Sequence, residues 1–262
     1  MLISTKIPTV NIARTRIIPA QLAGRDFLSD ERTYTEKIIE MFGSSLIGFW
    51  PLTEQSGLIA ENKVKNYNGN GSYSNCFLAN YLGPRGIFAP GFTPAALSYV
   101  NLWTPGFIAN FNGGWGSTLV FTRQPASTWI DGLLHTIFYF LVNGNNLMVL
   151  RKSNINNRFT YIYKAGGAAD VTSNVDGLTS DKWIYWACNW GPTGIQIIMN
   201  GVPQGLPQAT AGVWVGALAG PNAVVGASSS AAPAQVMDGH IQYVAVLNRQ
   251  VTSDEALMAY LA

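Results

Sequence analysis

Charged residues are scarce in this chain of 262 residues: Asp, Glu, Lys and Arg make up 11% of it, against about a quarter of an ordinary soluble protein. The formal net charge of +2 argues against a general nucleic-acid binder, because such a protein needs a basic stripe to neutralise phosphates. No run of about 18 apolar residues predicts a membrane-spanning helix. The first residues lack a hydrophobic segment of signal-peptide length, so we expect no signal peptide and no membrane insertion.

Cysteine and histidine occur only twice each. Cys76 and Cys188 are too few for a disulfide framework. Cys188 lies in the apolar run Trp183–Trp190 and is predicted to be a small buried side chain; its pairing with Cys76 stays open. His135 and His240 each begin a predicted strand, and neither has an evident partner at the spacing of metal ligands. We therefore predict structural roles for both, with no metal site and no cofactor.

The basic residues are unevenly distributed. Residues 1–25 contain no acid, and prolines at positions 8 and 19 limit any helix there. Four basic side chains fall in this segment: Lys6, Arg14, Arg16 and Arg25. We interpret residues 1–28 as an extended arm, either a solvated basic tail or a segment that docks on an acidic partner surface.

Glycine, proline and aromatic residues are abundant, with 27 Gly, 13 Pro, eight Trp and eleven Tyr. The surface must then consist largely of Asn, Ser, Thr, Gly and aromatic side chains. Such a surface repels its neighbours weakly, and rigid aromatic rings are enriched in protein interfaces. The composition therefore favours a packed assembly, which we expect to be a homo-oligomer.

Local patterns predict one helix at each end of a β-rich body. Residues 29–42 have helical periodicity, with Ser29 or Asp30 as the N-cap, Tyr34 and Ile38 on the apolar face and Gly43 as the stop; we assign 29–45 to this helix and its connection. Thr252 and Glu255 are spaced as a capping box that opens a helix over Ser253–Leu261.

Residues from about 46 onward have the short apolar runs and turn residues of antiparallel strands. Asn143-Gly144 and Asn200-Gly201 stand where a tight hairpin needs positive φ. The predicted strands are Leu46–Leu52, Ser98–Leu102, Ser117–Arg123, His135–Val142, Leu147–Lys152, Arg158–Lys164, Lys182–Asn189, Gly194–Met199, Ala223–Gly226 and Gly239–Leu247.

Several segments share their order and character with one family. They are Ile47–Gly57, Asp181–Trp190 with Gly194–Gly201, and Asp238–Arg249 with the segment that follows it to Glu255. Together these segments resemble the first, central and closing strands of the concanavalin A-like, laminin-G-like domains. The resemblance implies an all-β, two-sheet antiparallel jelly-roll sandwich over residues 46–262, with its terminal strands paired at the centre.

The resemblance also implies which chemistry to look for. Glycosidases of this architecture need two carboxylates that share a face, but from Asn62 to Ser253 the only acids are Asp131, Asp170, Asp176, Asp181 and Asp238, and no two have that spacing. We therefore predict no enzyme. The family's calcium ligands would fall at Asn62 and Gln242, where related modules tend to have Asp. Amides there lack the charge that holds the ion, so we predict no calcium, with Glu54 and Asp238 as residual candidates.

Sugar recognition needs aromatic platforms with amide partners. The candidate glycan-binding residues are Trp103, Asn112, Trp115 and Trp129, and Tyr99, Trp214, Asn110, Asn143 and Asn145 also fall in or beside loops. The alternative is that these rings fill the sandwich ends or subunit contacts.

The segment Tyr34–Trp50 is similar to openings of laminin-G-like modules in phage and prophage virion proteins. This similarity favours a non-enzymatic virion structural protein, either a capsid decoration protein or a tail component, anchored to other virion proteins by its arm. Such a protein would be made in the host cytoplasm and located in the virion. The alternatives are a glycan-binding adhesin that recognises a cell-surface glycan and, less favoured, a divergent glycoside hydrolase.

Overall fold

Two antiparallel eight-stranded sheets face each other in the computed structural model, which describes residues 33–64, 69–179 and 181–262. This is the jelly-roll sandwich that the sequence predicts. The proposed arm over 1–28, with Lys6, Arg14, Arg16 and Arg25, lies outside the described residues.

The first sheet is built around strands from the two ends of the sandwich. Its neighbours run in the order β14 (Val202–Pro203), β13 (Gln196–Met199), β12 (Ile184–Trp190), β7 (Gly116–Arg123), β16 (Gly239–Leu247), β5 (Phe88–Phe92) and β4 (Phe77–Leu82). The eighth strand, β1 (Leu46–Trp50), pairs with β16 in the register Leu46 to Leu247 and Trp50 to Val244. The predicted pairing of the terminal strands is therefore confirmed.

The second sheet packs on the inner face of the first. Its strands run in the order β11 (Val171–Val175), β10 (Phe159–Lys164), β9 (Asn146–Lys152), β8 (His135–Asn143), β15 (Ala223–Val225), β6 (Tyr99–Asn101), β3 (Gly71–Ser74) and β2 (Ile59–Ala60). Large rings such as Trp50, Trp186 and Phe138 are fully buried between the sheets. Each contributes about 1.5–3 kcal/mol through removal of apolar surface from water.

In the described ranges, three α-helices accompany the sheets: α1 (Tyr34–Phe42), α2 (Pro105–Asn110) and α3 (Ser253–Leu261). Both α1 and α3 cover the outer face of the first sheet, where Tyr34 of α1 and Ala256 of α3 share a buried cluster with Phe121. Within the part of the chain that the structure describes, no helix is long and apolar enough to cross a membrane.

The helix boundaries confirm one prediction and correct another. In α3, Thr252 and Glu255 form the expected capping box. The first helix begins at Tyr34, later than predicted, and its N-cap is Thr33 rather than Ser29 or Asp30. Thr33 has extended backbone with ψ 155°, and its hydroxyl accepts the amide hydrogen of Glu36, so the helix cannot continue through it.

All ten predicted strands are present within a few residues of their expected bounds. Six further strands of the described residues, which have weak sequence patterns, were missed. These are β2, β3, β4, β5, β11 and β14. In β4, Ala79 has φ 51° and the pairing with β5 slips, so its residues show no period of two. The polar segment Val171–Val175 likewise carries no alternation of apolar side chains.

The two predicted Asn-Gly hairpins differ. Asn200 and Gly201 have φ 50° and 78°, as a tight hairpin of mirror-image type requires. The turn between β8 and β9 contains Gly144 and Asn145, and neither has positive φ, so the expectation for Asn143-Gly144 was wrong. A Cβ on Gly201 would also lie 2.7 Å from the Leu257 Cα atom in α3, whereas a Cβ on Gly144 would meet nothing within 4 Å.

Gly201→Ala should therefore lower the free energy of unfolding by about 2 kcal/mol or more, because it combines backbone strain with a clash against α3. Gly144→Ala is the matched control and should change the free energy by less than about 0.5 kcal/mol. Urea unfolding followed by tryptophan fluorescence measures both. Equal losses in the two variants would contradict this account of the hairpins.

Candidate binding site at one end of the sandwich

An aromatic cluster fills one end of the sandwich, beneath α2 and the loop that follows it. Thr104 caps α2 by accepting the Phe107 amide hydrogen, and the helix delivers Phe111 to the centre of the cluster. The Phe111 ring centroid lies 5.4–6.2 Å from the centroids of Phe107, Phe140, Trp190 and Trp214. This packing makes a firm base for the loops above it.

The loop over residues 112–115 is held to this base by its backbone. The Trp190 indole N–H donates to the Asn112 carbonyl at 3.0 Å, and the Tyr163 hydroxyl donates to the Gly113 carbonyl at 2.9 Å. Burial raises the pKa of Tyr163 to about 12, so its hydroxyl remains a proton donor at neutral pH. A Cβ on Gly113 would lie 2.0 Å from the Trp214 ring, which shows how closely the loop approaches it.

Trp115 is presented to solvent by this fixed loop. Its side chain is 46% exposed, although its backbone N–H is bound to the Asn112 carbonyl at 3.4 Å. The indole N–H has no acceptor among the described residues. An exposed ring face with a free N–H beside it is the arrangement that stacks on a ligand and donates one hydrogen bond to it.

A second segment, which we call the apolar belt and define as residues 205–217, crosses the same end and ties the two sheets together. It is fixed to the first sheet by the Thr210 hydroxyl, which donates to the Gly191 carbonyl at 3.2 Å, and to the second sheet by the Val215 N–H, which donates to Asn146 Oδ1 at 3.0 Å. Trp214 points inward onto Tyr163, with centroids 5.9 Å apart. Val213 and Val215 point outward, 74% and 62% exposed.

The structure brings three of the four predicted glycan-binding residues to this end. Asn112 and Trp115 lie in one loop, and Trp103 lies below it, half-buried, with its indole N–H donated to the Leu218 carbonyl at 3.0 Å. The prediction for Trp129 was wrong: it is 1% exposed and packs edge-on against Phe159 at 5.3 Å, so it offers no face to a ligand.

The other loop residues fall into three groups. Tyr99 packs on a small cluster with Val224 and Val236. Asn110 and Asn143 use their side chains to bind the backbone of their own turns. Asn145 is exposed, and its side-chain amide makes no hydrogen bond within the described part of the chain. Asn145 is therefore the amide at this end that is most available to a ligand.

The two positions that correspond to family calcium ligands are occupied in structural contacts. Asn62 Oδ1 accepts the amide hydrogens of Phe49 and Val64, both at 3.0 Å. Gln242 is buried and donates to the Ile87 and Phe88 carbonyls at 3.2 and 3.1 Å. Within residues 33–64, 69–179 and 181–262 no group of three His, Cys, Asp or Glu is placed to hold a metal ion.

Glu54 and Asp238, the residual candidates, also have structural partners. Glu54 accepts from the Tyr73 hydroxyl at 2.6 Å, and Asp238 accepts from the Thr128 hydroxyl at 2.7 Å. The two thiols are free: Cys188 is buried and Cys76 is half-buried, so the open question of their pairing is answered. Burial raises the pKa of Cys76 to about 12.

Each of the five acids considered for hydrolysis has a separate partner. Asp176 pairs with Arg158 at 2.6 Å, Asp181 with Arg123 at 3.1 Å and Asp170 with Lys164 at 3.6 Å. Asp238 is bound to Thr128, as described above, and Asp131 pairs with Lys152. Two-carboxylate hydrolysis requires two carboxylates free to act on one bond, whereas each of these five is held by a partner of its own.

A buried cluster at the opposite end was missed by the sequence analysis. Asp131 contacts Lys152, whose side chain is fully buried, and His135 Nε2 at 2.6 Å. Burial is the largest single influence and opposes ionisation of Asp131, but the contacts with Lys152, the Leu133 N–H and His135 together outweigh it and lower the pKa of this carboxyl. Asp131 precedes His135 by four residues, which was the available signal. Lys152 joins them only through the pairing of β8 with β9.

His135 fastens this cluster to a neighbouring loop. Its Nδ1 lies 2.7 Å from the Val236 carbonyl, so both ring nitrogens contact oxygen atoms of the protein. A cleft of about 430 Å³ lies beside it, lined partly by Pro94, Leu133 and Gln235. These contacts join His135 to neighbouring parts of the protein, which is the kind of structural role that was predicted for it.

The fold of the structure agrees with the family that a sequence model identifies. The architecture defines a jelly-roll sandwich module with two antiparallel sheets. The sequence model described as the concanavalin A-like lectin/glucanases superfamily matches residues 117–256, just over half of the chain. The chain belongs to this family.

Solved structures with a similar fold include the binding domain of botulinum neurotoxin serotype D, at a TM-score of 0.60 and 13% identity over 82% of this chain and 51% of that one. The receptor binding domain of a botulinum neurotoxin C/D mosaic serotype gives a TM-score of 0.63 and 12% identity, over 83% of this chain and 51% of that one. This chain thus spans about half the length of these structures, and at such identities the likeness shows the fold alone.

A structure of botulinum neurotoxin type C gives a TM-score of 0.60 at 12% identity, over 85% of this chain and 52% of that one. Cell entry of that toxin is described as dependent upon interaction with two ganglioside molecules. No curated protein matches this chain.

His240 lies on the outer face of the first sheet, with its ring 4.8 Å from that of Tyr81 and 6.2 Å from that of Trp183. Nε2 lies 2.9 Å from Asn80 Oδ1, whereas Nδ1 is buried without a partner. Burial, reinforced by the nearby Arg123 charge, lowers the pKa of His240 to about 4. The folded protein therefore holds this ring neutral.

His240 should make stability depend on pH. The unfolded chain takes up the proton near pH 6.5 and the folded protein only near pH 4, so this contribution is complete above pH 6.5 and is lost as the pH falls towards 4. Between pH 7 and pH 4.5 the wild type should lose about 2 kcal/mol more than His240→Gln. Urea unfolding of both proteins at both pH values measures this difference, and identical losses would contradict it.

Proposed function

We propose that the protein is a non-enzymatic structural protein of a phage virion, a capsid decoration protein or a tail component, anchored through residues 1–28. The observation that carries the proposal is an uncharged apolar edge on the first sheet. The side chains of β4 and of the turn into β5 are 40–54% exposed, although they are large and apolar: Phe77, Tyr81, Leu82, Ile87 and Phe88.

Edge strands that are exposed and apolar normally pair with something or carry charges that prevent pairing. The only charge between Phe77 and Phe92 is Arg85, and its side chain turns inward to the Tyr260 carbonyl and the rings of Tyr34 and Phe121. Arg123 also lies over the Tyr81 ring, 3.9 Å from its centroid, but it is paired with Asp181 at 3.1 Å. The charges at this edge are therefore turned inward or paired, and repel a neighbouring subunit weakly. A protein that works inside a permanent assembly tolerates such an edge, whereas a free monomer would risk aggregation.

The position of α1 supports an anchoring role for the segment that precedes it. Tyr34, Ile38 and Phe42 bury one face of α1 on the first sheet, so the described chain enters the sandwich through a helix that is fixed to this sheet. The first residue of α1, Tyr34, packs beside Phe121 near the end of β7 that is opposite Trp115. An anchor on one side then leaves the loops around Trp115 free to face outward from a particle.

The virion proposal predicts where substitutions should act. Replacing Lys6, Arg14, Arg16 and Arg25 together by Gln should reduce the amount of protein in purified particles about tenfold or more, because it removes the charge that docks on an acidic surface. Immunoblotting of gradient-purified particles measures the amount. Lys182→Gln, which removes an exposed charge from the sandwich itself, is the control and should have no effect.

A second outcome concerns the free protein. Leu82→Lys should weaken self-association measured by sedimentation, because it places a charge on the apolar edge. Leu133→Lys, at an exposed leucine outside β4 and β5, should not. Absence of the wild-type protein from particles, together with a stable monomer in solution, would remove the virion proposal.

The geometry around Trp115 favours a second candidate function, a glycan-binding adhesin. An exposed indole on a rigid loop, with the free amide of Asn145 at the same end, can stack on the C–H face of a sugar and bind its hydroxyls. The ganglioside interaction described for the botulinum neurotoxin type C structure supports saccharide binding by this fold, without indicating which saccharide this chain would bind.

Loss of the Trp115 ring should then strongly weaken saccharide binding. Trp115→Ala should weaken affinity by about 30-fold, the effect of removing a central aromatic anchor, whereas Trp115→Phe should retain part of it. Glycan arrays followed by calorimetric titration make the measurement. Leu133→Ala, at the opposite end of the sandwich, should bind as the wild type does. Full binding by Trp115→Ala would show that the sugar binds elsewhere.

A further inference from the structure

We infer that the sandwich end around Trp115 binds uncharged saccharides and discriminates against sialylated or sulfated ones. The inference rests on the glycan-binding candidate above and concerns the chemical class of ligand at the same site. It is drawn from the absence of free charge around the exposed indole among the described residues.

The segments that build this end are almost free of charge. Residues 86–122, 132–150 and 183–237 contain no Asp, Glu, Lys or Arg. These ranges supply α2, the loop over residues 112–115, the β8–β9 turn and the whole apolar belt. The only histidine within them, His135, lies at the far end in the Asp131 cluster.

Charges that approach this end come in opposite pairs. Lys164 and Asp170 flank the turn after β10 and lie 3.6 Å apart. Arg249 binds Glu255 through two hydrogen bonds of 2.7 and 2.8 Å, and Lys63 contacts Glu61 on the β2 side. Each pair is neutral as a unit, so within the described ranges no free cation is left to meet an acidic sugar.

The polar groups that remain are neutral donors and acceptors. The Trp115 indole N–H and the Asn145 amide are unpaired within the described ranges, and Asn112 uses only its Oδ1, which accepts the Gly114 amide hydrogen at 2.9 Å. Sugar hydroxyls both donate and accept, so they match such groups directly.

An anionic sugar would lose hydration here without gaining a charged partner. Removing a carboxylate or sulfate from water costs free energy that only a cation or several charge-assisted hydrogen bonds offset. A neutral saccharide carries no such cost. Its affinity should also be nearly independent of salt, because no charge is screened.

The test uses the full-length protein with matched saccharide pairs: a neutral oligosaccharide and the same oligosaccharide capped with sialic acid or carrying a sulfate. We expect at least about fivefold tighter binding of the neutral member, or roughly 1 kcal/mol. Raising NaCl from about 50 mM to about 500 mM should change that affinity less than about twofold. Calorimetric titration measures both.

A variant that introduces a charge tests whether the lack of free charge at this end, rather than another difference between the ligands, causes the preference. Val213 is exposed on the apolar belt, so Val213→Arg adds a cation to this end without burying it. Relative to the neutral replacement Val213→Gln, it should tighten binding of the acidic member of each pair and make that binding sensitive to salt.

The outcomes distinguish the two levels of the proposal. Preference for the acidic saccharide by the wild type, with binding that Trp115→Ala strongly weakens, would overturn this inference and leave the glycan-binding candidate intact. Binding of no saccharide at all, or binding that Trp115→Ala does not affect, would overturn that candidate and the inference with it.

Discussion

The pairing of β16 with β7 and β1 supports everything else in the molecule, because it places the strand nearest the C-terminus at the centre of the first sheet. Every residue from Gly239 to Leu247 is buried. The position of Trp115 depends directly on this pairing, because Gly116, the first residue of β7, packs closely against β16 and β12. A Cβ on Gly116 would lie 2.6 Å from the Leu247 carbonyl and 2.3 Å from the Trp190 ring. The loop over residues 112–115 is therefore fixed where it joins the sheet, and this holds the exposed Trp115 indole in place.

Sequence patterns were sufficient for the fold wherever burial on one or both faces produced a regular signal. The strand Ile184–Trp190 lies between two apolar clusters and is apolar along nearly its whole length, so it could be predicted. In contrast, β4 is an edge strand in which a residue with positive φ interrupts the alternation. Its existence depends on pairing with β5, which is a tertiary contact that no local pattern encodes.

The candidate site was likewise only partly predictable from the sequence. Composition and loop position identified both Trp115 and Trp129, but only tertiary packing separates them: one lies above the aromatic cluster and the other fills the core beside Phe159. The Asp131–His135–Lys152 cluster was missed because a lysine with a fully buried side chain is not expected from sequence. Lys152 contacts Asp131 and the Leu133 carbonyl, and these contacts can be recognised only once β8 and β9 are paired.

Low charge links the two proposed functions through one property. Across the described residues the acids considered for catalysis serve as partners for basic or hydroxyl groups, so little unpaired charge remains to act on a substrate or to repel a neighbour. The β4 edge benefits because subunits can approach it closely. The Trp115 end benefits because hydroxyl groups, unlike carboxylates, need no counter-charge when they leave water. Assembly and recognition of neutral sugars are therefore compatible on one surface, provided that they use different sides of the sandwich.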